Sequence, residues 1–137
     1  MKKNYKVLRH TADLKIKAFG KSVKEIFQSA LLAMFESIKP EIKERIVFRK
    51  IKIKNGSLEN LFVAFLNKAL YLSQVKKEIY FKIKFQRYSF KKNFFLEGIL
   101  EGKKIKSWGL DIKAVTYHQL KIKKEKKEWT VVFVCDI

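Results

Sequence analysis

The chain has little of what many specialised proteins need. It carries one cysteine and one proline in 137 residues, and its five glycines stand apart from one another. A lone Cys135 closes no intramolecular disulfide and builds no cysteine-based metal cluster, which fits a reducing compartment. Isolated glycines give neither a GxGxxG turn nor a Walker loop, and no nucleophile elbow is present. No apolar run approaches the roughly 20 residues that cross a bilayer, and nothing after Met1-Lys2-Lys3 resembles the core of a signal peptide. The expectation is a soluble, cytoplasmic protein with no membrane partner. Hydrophobic residues at 47% supply a real core and exclude a disordered or collagenous chain, and the length suits a single domain, 1–137.

Negative charge is also scarce. Thirteen Asp and Glu face thirty-two Lys and Arg, a net charge of +19. Such a surplus points first to nucleic acid or another anionic surface. Arginine, the better fork for phosphate and base edges, supplies only Arg9, Arg45, Arg49 and Arg87. The lysines alternate with apolar residues, as in Ile51-Lys52-Ile53-Lys54 and Phe81-Lys82-Ile83-Lys84-Phe85, which is the wet face of a half-buried strand. A solvated lysine-biased surface and an RNA-contacting face both stay open.

Two stretches have helical period. Val23, Ile26, Phe27, Ala30, Leu31, Met34, Phe35 and Ile38 form one stripe, begun by the capping box Ser22/Glu25 and stopped by Pro40. Leu58, Leu61, Phe62, Phe65, Leu66, Ala69 and Leu72 form the second, with Ser57 as N-cap after Asn55-Gly56. Period two predicts strands around Leu14–Ala18, Ile46–Lys54, Ile79–Phe85, Phe94–Leu100 (broken by Gly98), Leu120–Ile122 and Trp129–Cys135, the last apolar on both faces and so central. Turns are expected at Glu101-Gly102-Lys103-Lys104 and Lys124-Glu125-Lys126-Lys127. The reading is an α+β two-layer sandwich: two amphipathic helices packed on one face of a mixed, mostly antiparallel β-sheet.

Ten of the acids are glutamates, mostly in lysine-rich or helical surface contexts where solvation or ion pairing is the default. The three aspartates differ, because Asp13, Asp111 and Asp136 each sit beside an apolar strand pattern although aspartate is depleted in strands. Such carboxylates need a cation, a metal or several N–H donors. Ion pairing with lysine is one reading, and convergence on a hard divalent cation is the other. Asp136 next to the final Ile137 sets a side-chain carboxylate beside a terminal one, which a bridging cation or simple solvation accommodates. His10 and His118 are candidate bases, ligands or structural residues. Trp108 and Tyr117 are candidate exposed contacts, and Cys135 reads as buried and inert.

His10-Thr11-Ala12-Asp13 with Ile16 and Gly20, Ala114-Val115-Thr116-Tyr117-His118, and a final apolar strand closing in Asp136-Ile137 together resemble the archease family. Val23–Phe35 and Leu58–Leu72 are similar to that family's two helices, so the resemblance covers nearly the whole chain in order. It implies a protein that is not itself an enzyme. Archeases are cofactors of the RtcB-type RNA ligase in tRNA splicing and RNA repair, promoting ligase guanylylation and multiple turnover. The resemblance implies a divalent-metal site of calcium type at Asp13, Asp136 and Ile137, and Asp111 as a further functional carboxylate. His10, Tyr117 and His118 are candidate supporting or partner contacts, and the resemblance implies that RNA is met mainly through the ligase. This chain departs from the family where Lys15 and Gln119 stand at positions often occupied by glycine, and where Leu110 rather than a small polar residue precedes Asp111. Two rivals remain: a basic RNA-binding domain, and a stand-alone metal-dependent phosphodiesterase using the three aspartates.

Overall fold

A computed structural model of the chain describes residues 4–10 and 12–137. The order is β1 (Tyr5–His10), β2 (Asp13–Gly20), α1 (Val23–Ser37), β3 (Glu41–Lys54), α2 (Leu58–Lys76), β4 (Glu78–Ser89), β5 (Phe95–Ser107), β6 (Ala114–Glu125) and β7 (Glu128–Asp136). The α+β class holds, with one refinement. The strands divide into two sheets, ordered β1-β2-β7-β6 and β3-β5-β4, and every pairing between them is antiparallel rather than mixed. Each helix touches strands of both sheets: α1 lies on β2 and β4, and α2 on β6 and β4.

Both helices start as their sequences dictate. Ser22 Oγ accepts from the Glu25 N–H at 3.2 Å, and Ser57 Oγ from Asn60 N–H at 3.0 Å. The Glu25 carboxylate reaches back to Lys21 N–H rather than to the cap residue itself. The helices meet through rings, with Phe27 against Phe62 at 5.2 Å and Phe62 against Phe133 of β7 at 5.4 Å, both edge-on. Leu14, Ile16 and Ala18 of β2 and Val131, Phe133 and Cys135 of β7 complete this core, so the four-stranded sheet is dry inside and faces solvent outside. The apolar β7 is central, as its composition predicts.

Two expectations are corrected. Glu101-Gly102-Lys103-Lys104 is not a turn but the middle of β5, and Gly98 does not break that strand. Both glycines serve close approach. A Cβ on Gly102 would lie 1.7 Å from the Ile79 carbonyl oxygen, and one on Gly98 would lie 2.4 Å from that of Lys84. The turn at Lys126-Lys127 is where it was expected, with Lys126 at φ 55°. Trp108 is half-buried against the core rather than an exposed contact, while Tyr117 is 57% exposed.

Candidate functional site: a carboxylate pair at the strand ends

The antiparallel register sets Asp13, the first residue of β2, directly opposite Asp136, the last of β7. Directly opposed residues share a face and hold their Cβ atoms roughly 5 Å apart. That face is the outer one, since Leu14 and Cys135 beside them are fully buried. Two like charges so placed repel unless a cation intervenes. For Asp13 the cation is Arg9 across the β1–β2 connection. Its Nε donates to Oδ1 at 2.8 Å and its second guanidinium nitrogen donates to Oδ2 at 2.9 Å, a bidentate fork. Arg9, with smaller help from His118 and Lys15, holds the Asp13 carboxyl below the usual carboxylate range. The exposed Asp136 carboxylate has no hydrogen bond or ion pair among the described residues. Burial, with a smaller contribution from the Asp136 charge, pushes the neighbouring Cys135 thiol up to about 12, so that sulfur is inert at neutral pH.

A third segment is fastened beside this pair. The Lys113 N–H donates to the Asp136 carbonyl at 2.8 Å, and Ala114 pairs with Asp136 at the start of β6. From α2, Asn67 both donates to the Val115 carbonyl and accepts from its N–H, at 2.9 and 2.8 Å, while Gln74 donates to the Ile112 carbonyl at 2.9 Å. Asp111 therefore sits on an exposed connection next to the Asp136 end of β7, not in a strand. It is not drawn together with the other two aspartates: the described residues contain no group of three His, Cys, Asp or Glu able to hold a metal.

Between Thr116 and Lys121 the β6 register opens, and Tyr117 and His118 project into solvent from an irregularity in which Gln119 adopts φ 57°. Thr116, where the irregularity begins, pairs with Val134 two residues before Asp136, so it lies near the carboxylate pair. His10 ends β1, and its side chain, like all of Thr11, lies outside the described residues. Ile137 follows β7 and packs partly buried against the core.

Sequence reasoning missed Arg9, Asn67 and Gln74. The signal for Arg9 was available, since it is one of four arginines and stands four residues before Asp13. The expectation for the glutamates also has an exception. Glu78 is fully buried, held by Arg49 at 2.8 and 2.5 Å, by the Tyr80 hydroxyl at 2.8 Å and by Lys104 at 3.1 Å. Burial acts to raise its pKa, but these donors outweigh it and bring the carboxyl down to about 2. That cluster ties β3, β4 and β5 together away from the aspartates.

For a hard divalent cation, the chemistry of the pair fits in type. Among the described residues nothing pairs with the Asp136 carboxylate, and each Asp13 oxygen keeps a lone pair beyond its Arg9 bond. Fold and site thus define a small two-sheet α+β domain whose outstanding polar feature is an acidic pair at a sheet corner. The chain belongs to the Archease protein family, whose description matches residues 5–137. It is 33% identical over 141 residues to protein archease of Methanosarcina mazei, covering 98% of this chain and 97% of that protein. It is also 33% identical to protein archease of Sulfurisphaera tokodaii, covering 97% of this chain and 98% of that one. Among solved structures, Methanobacterium thermoautotrophicum protein 1598 superposes with a TM-score of 0.75 at 26% identity, over 99% of this chain and 100% of that one. An archease from Thermotoga maritima, described as a possible chaperone, superposes at 0.70 and 25% identity, over 96% of both chains.

Proposed function

We propose that this chain is a non-enzymatic accessory protein of an RtcB-type RNA ligase, acting in the cytoplasm to promote ligase guanylylation and multiple turnover in tRNA splicing and RNA repair. Family membership supports the accessory role, and the observation that carries the site is the direct opposition of Asp13 and Asp136. In this reading Asp13 and Asp136, with Ile137 at the same strand end, hold a divalent cation, calcium in the first instance, and Asp111 on the adjoining connection serves as a further functional carboxylate. Such a cation supplies concentrated positive charge at this sheet corner. The chain's own residues do the rest. Arg9 orients Asp13, Asn67 and Gln74 fix the entry to β6, and the exposed Tyr117 and His118 offer a partner an aromatic and a hydrogen-bonding contact.

The test is guanylylation of the cognate ligase with and without the wild-type protein, repeated with Asp13→Ala and Asp136→Ala. Stimulation by wild type that both variants lose is the expected result. No stimulation by wild type refutes the role, and full stimulation by both variants refutes the site. Thermal melting separates the metal from the partner: Ca²⁺ is expected to raise the Tm of wild type and leave Asp136→Asn unmoved.

A further inference from the structure

Among the described residues no helix covers the outer face of the three-stranded sheet, and its composition is lopsided. Alternation places Phe48, Lys50, Lys52 and Lys54 of β3 on that face. The same register puts Phe95, Glu97, Ile99, Glu101 and Lys103 of β5 between them and Lys82, Lys84 and Arg87 of β4. Seven cations thus flank two carboxylates. Glu97 is already shared by Lys52 at 3.5 Å and Arg87 at 3.6 Å, so the face is strongly positive. Lys50, Lys52 and Lys54 recur every second residue, which spaces them about 6.5 to 7 Å apart in a straight row.

β3 and β4 are the two edges of this sheet, and lysines on edge strands are a common defence against edge-to-edge aggregation. Edge defence does not explain the aromatics. Phe48 is 61% exposed on the same face as the lysine row, and no ring contact among the described residues holds it. At the other end Phe95 lies under the Arg87 guanidinium, 5.7 Å away, in a shallow trough of about 380 Å³ shared with Lys52, Lys54 and Asn93. An exposed ring, a second ring under a guanidinium and a row of lysines between them combine the two elements of a single-strand binding platform: π-faces for bases and cations tracking the backbone.

We infer that the outer face of β3-β5-β4 binds single-stranded RNA directly, with Phe48 and Phe95 as stacking surfaces and Lys50, Lys52 and Lys54 on successive phosphates. The face lacks the broad apolar area that a membrane-surface contact buries, which favours nucleic acid over an anionic bilayer. The choice of RNA over DNA rests on the proposed ligase role; the charged, aromatic face itself does not. The site lies on the other sheet from Asp13 and Asp136, so it adds a substrate contact to the activator rather than restating its acidic pair.

Fluorescence anisotropy with a labelled 12-nucleotide oligo-U, without ligase, tests this. Wild type is expected to bind with affinity that falls steeply with salt. The combined Lys50→Gln, Lys52→Gln, Lys54→Gln variant is expected to lose about tenfold or more in low salt and to flatten the log–log salt slope by about 2, at about 0.7 per lost phosphate contact. Phe48→Ala should lose roughly tenfold with the slope unchanged, because stacking is not ionic. A control variant with Lys6, Lys121 and Lys123 changed to Gln on the other sheet should lose far less, and melting curves verify that all variants fold. Equal losses from both triple variants, tighter binding to oligo-dT than to oligo-U, or binding to phosphatidylserine vesicles but not to RNA would each overturn the inference. Guanylylation measured in parallel keeps the two readings apart, since an absent RNA contact leaves ligase stimulation standing.

Discussion

Replacing Glu78 by Gln removes one buried charge while keeping shape. In the wild type the carboxylate, with no exposure to solvent, accepts from Arg49 twice, from Tyr80 and from Lys104. Its folded-state pKa of about 2, against an ordinary 4.5, corresponds to about 3 kcal/mol of stability at neutral pH. Breaking a buried pair by removing one partner costs about 3–5 kcal/mol, but Arg49 and Lys104 keep 32% and 28% side-chain exposure and can rehydrate, which argues for the lower end. The sign follows from the direction of the shift. A depressed carboxyl stabilises fully above its unfolded pKa and loses that contribution as pH falls from about 4.5 through about 2. The stability deficit of Glu78→Gln relative to wild type is therefore expected to be about 3 kcal/mol at pH 7 and to shrink to a small fraction of that near pH 2, where about half of the wild-type groups are protonated. Urea titrations of both proteins at pH 7, 5, 3.5 and 2 measure it. Taking the difference cancels the general acid destabilisation of so cationic a chain. A deficit under about 1 kcal/mol at pH 7, or one that does not change with pH, would refute the assignment of Glu78 as an ionised, structure-holding group.

Gln119→Gly should stabilise the fold by about 1 kcal/mol in urea titration, because Gln119 pays the left-handed penalty at φ 57° that glycine escapes; an unchanged or lower midpoint would count against strain there. The Cys135 thiol, raised to about 12 and buried, should resist iodoacetamide at pH 8 in the native protein and react only after unfolding. Mass spectrometry reads this directly, and rapid native labelling would contradict its placement in the core.

The helices were legible because their signals are local, a stripe of period 3.6 and a serine cap for each and a stop near Pro40 for the first, although the last turn of α2 to Lys76 and its left-handed cap at Lys77 went unread. The sheets were legible as strands but not as partners. Alternation reports which face of a strand is wet, and it carries no information about which neighbour sits beside it, so the division into two sheets did not show. Gly102 misled for a related reason. Read locally, glycine among charged residues marks a turn, whereas here the β4 backbone at Ile79 comes so close that no side chain fits. β1 went unread because Tyr5–His10 has exposed Val7 and Leu8 and no clean alternation. Glu78 escaped because a buried glutamate and a surface one look alike until Arg49, 29 residues away, is folded against it.

The acidic pair is a consequence of packing rather than a separately built feature. Leu14, Ile16 and Ala18 face Cys135, Phe133 and Val131 on the buried side of the β2–β7 ladder, and a slip of one residue would turn the three of the slipped strand outward. The register is therefore fixed by the core, and once it is fixed Asp13 has no freedom to avoid Asp136. Aligned hydrophobic residues thereby hold two like charges together at the sheet corner. Arg9 neutralises Asp13 by a fork to both of its oxygens, while among the described residues no cation pairs with Asp136. In a chain with thirty-two cations and only three aspartates, a lysine in place of either acid would remove the repulsion altogether. On the function proposed above, the opposition of two acids that the core-fixed register imposes is what a cation at that corner would use, and the Ca²⁺ melting comparison of wild type with Asp136→Asn decides it.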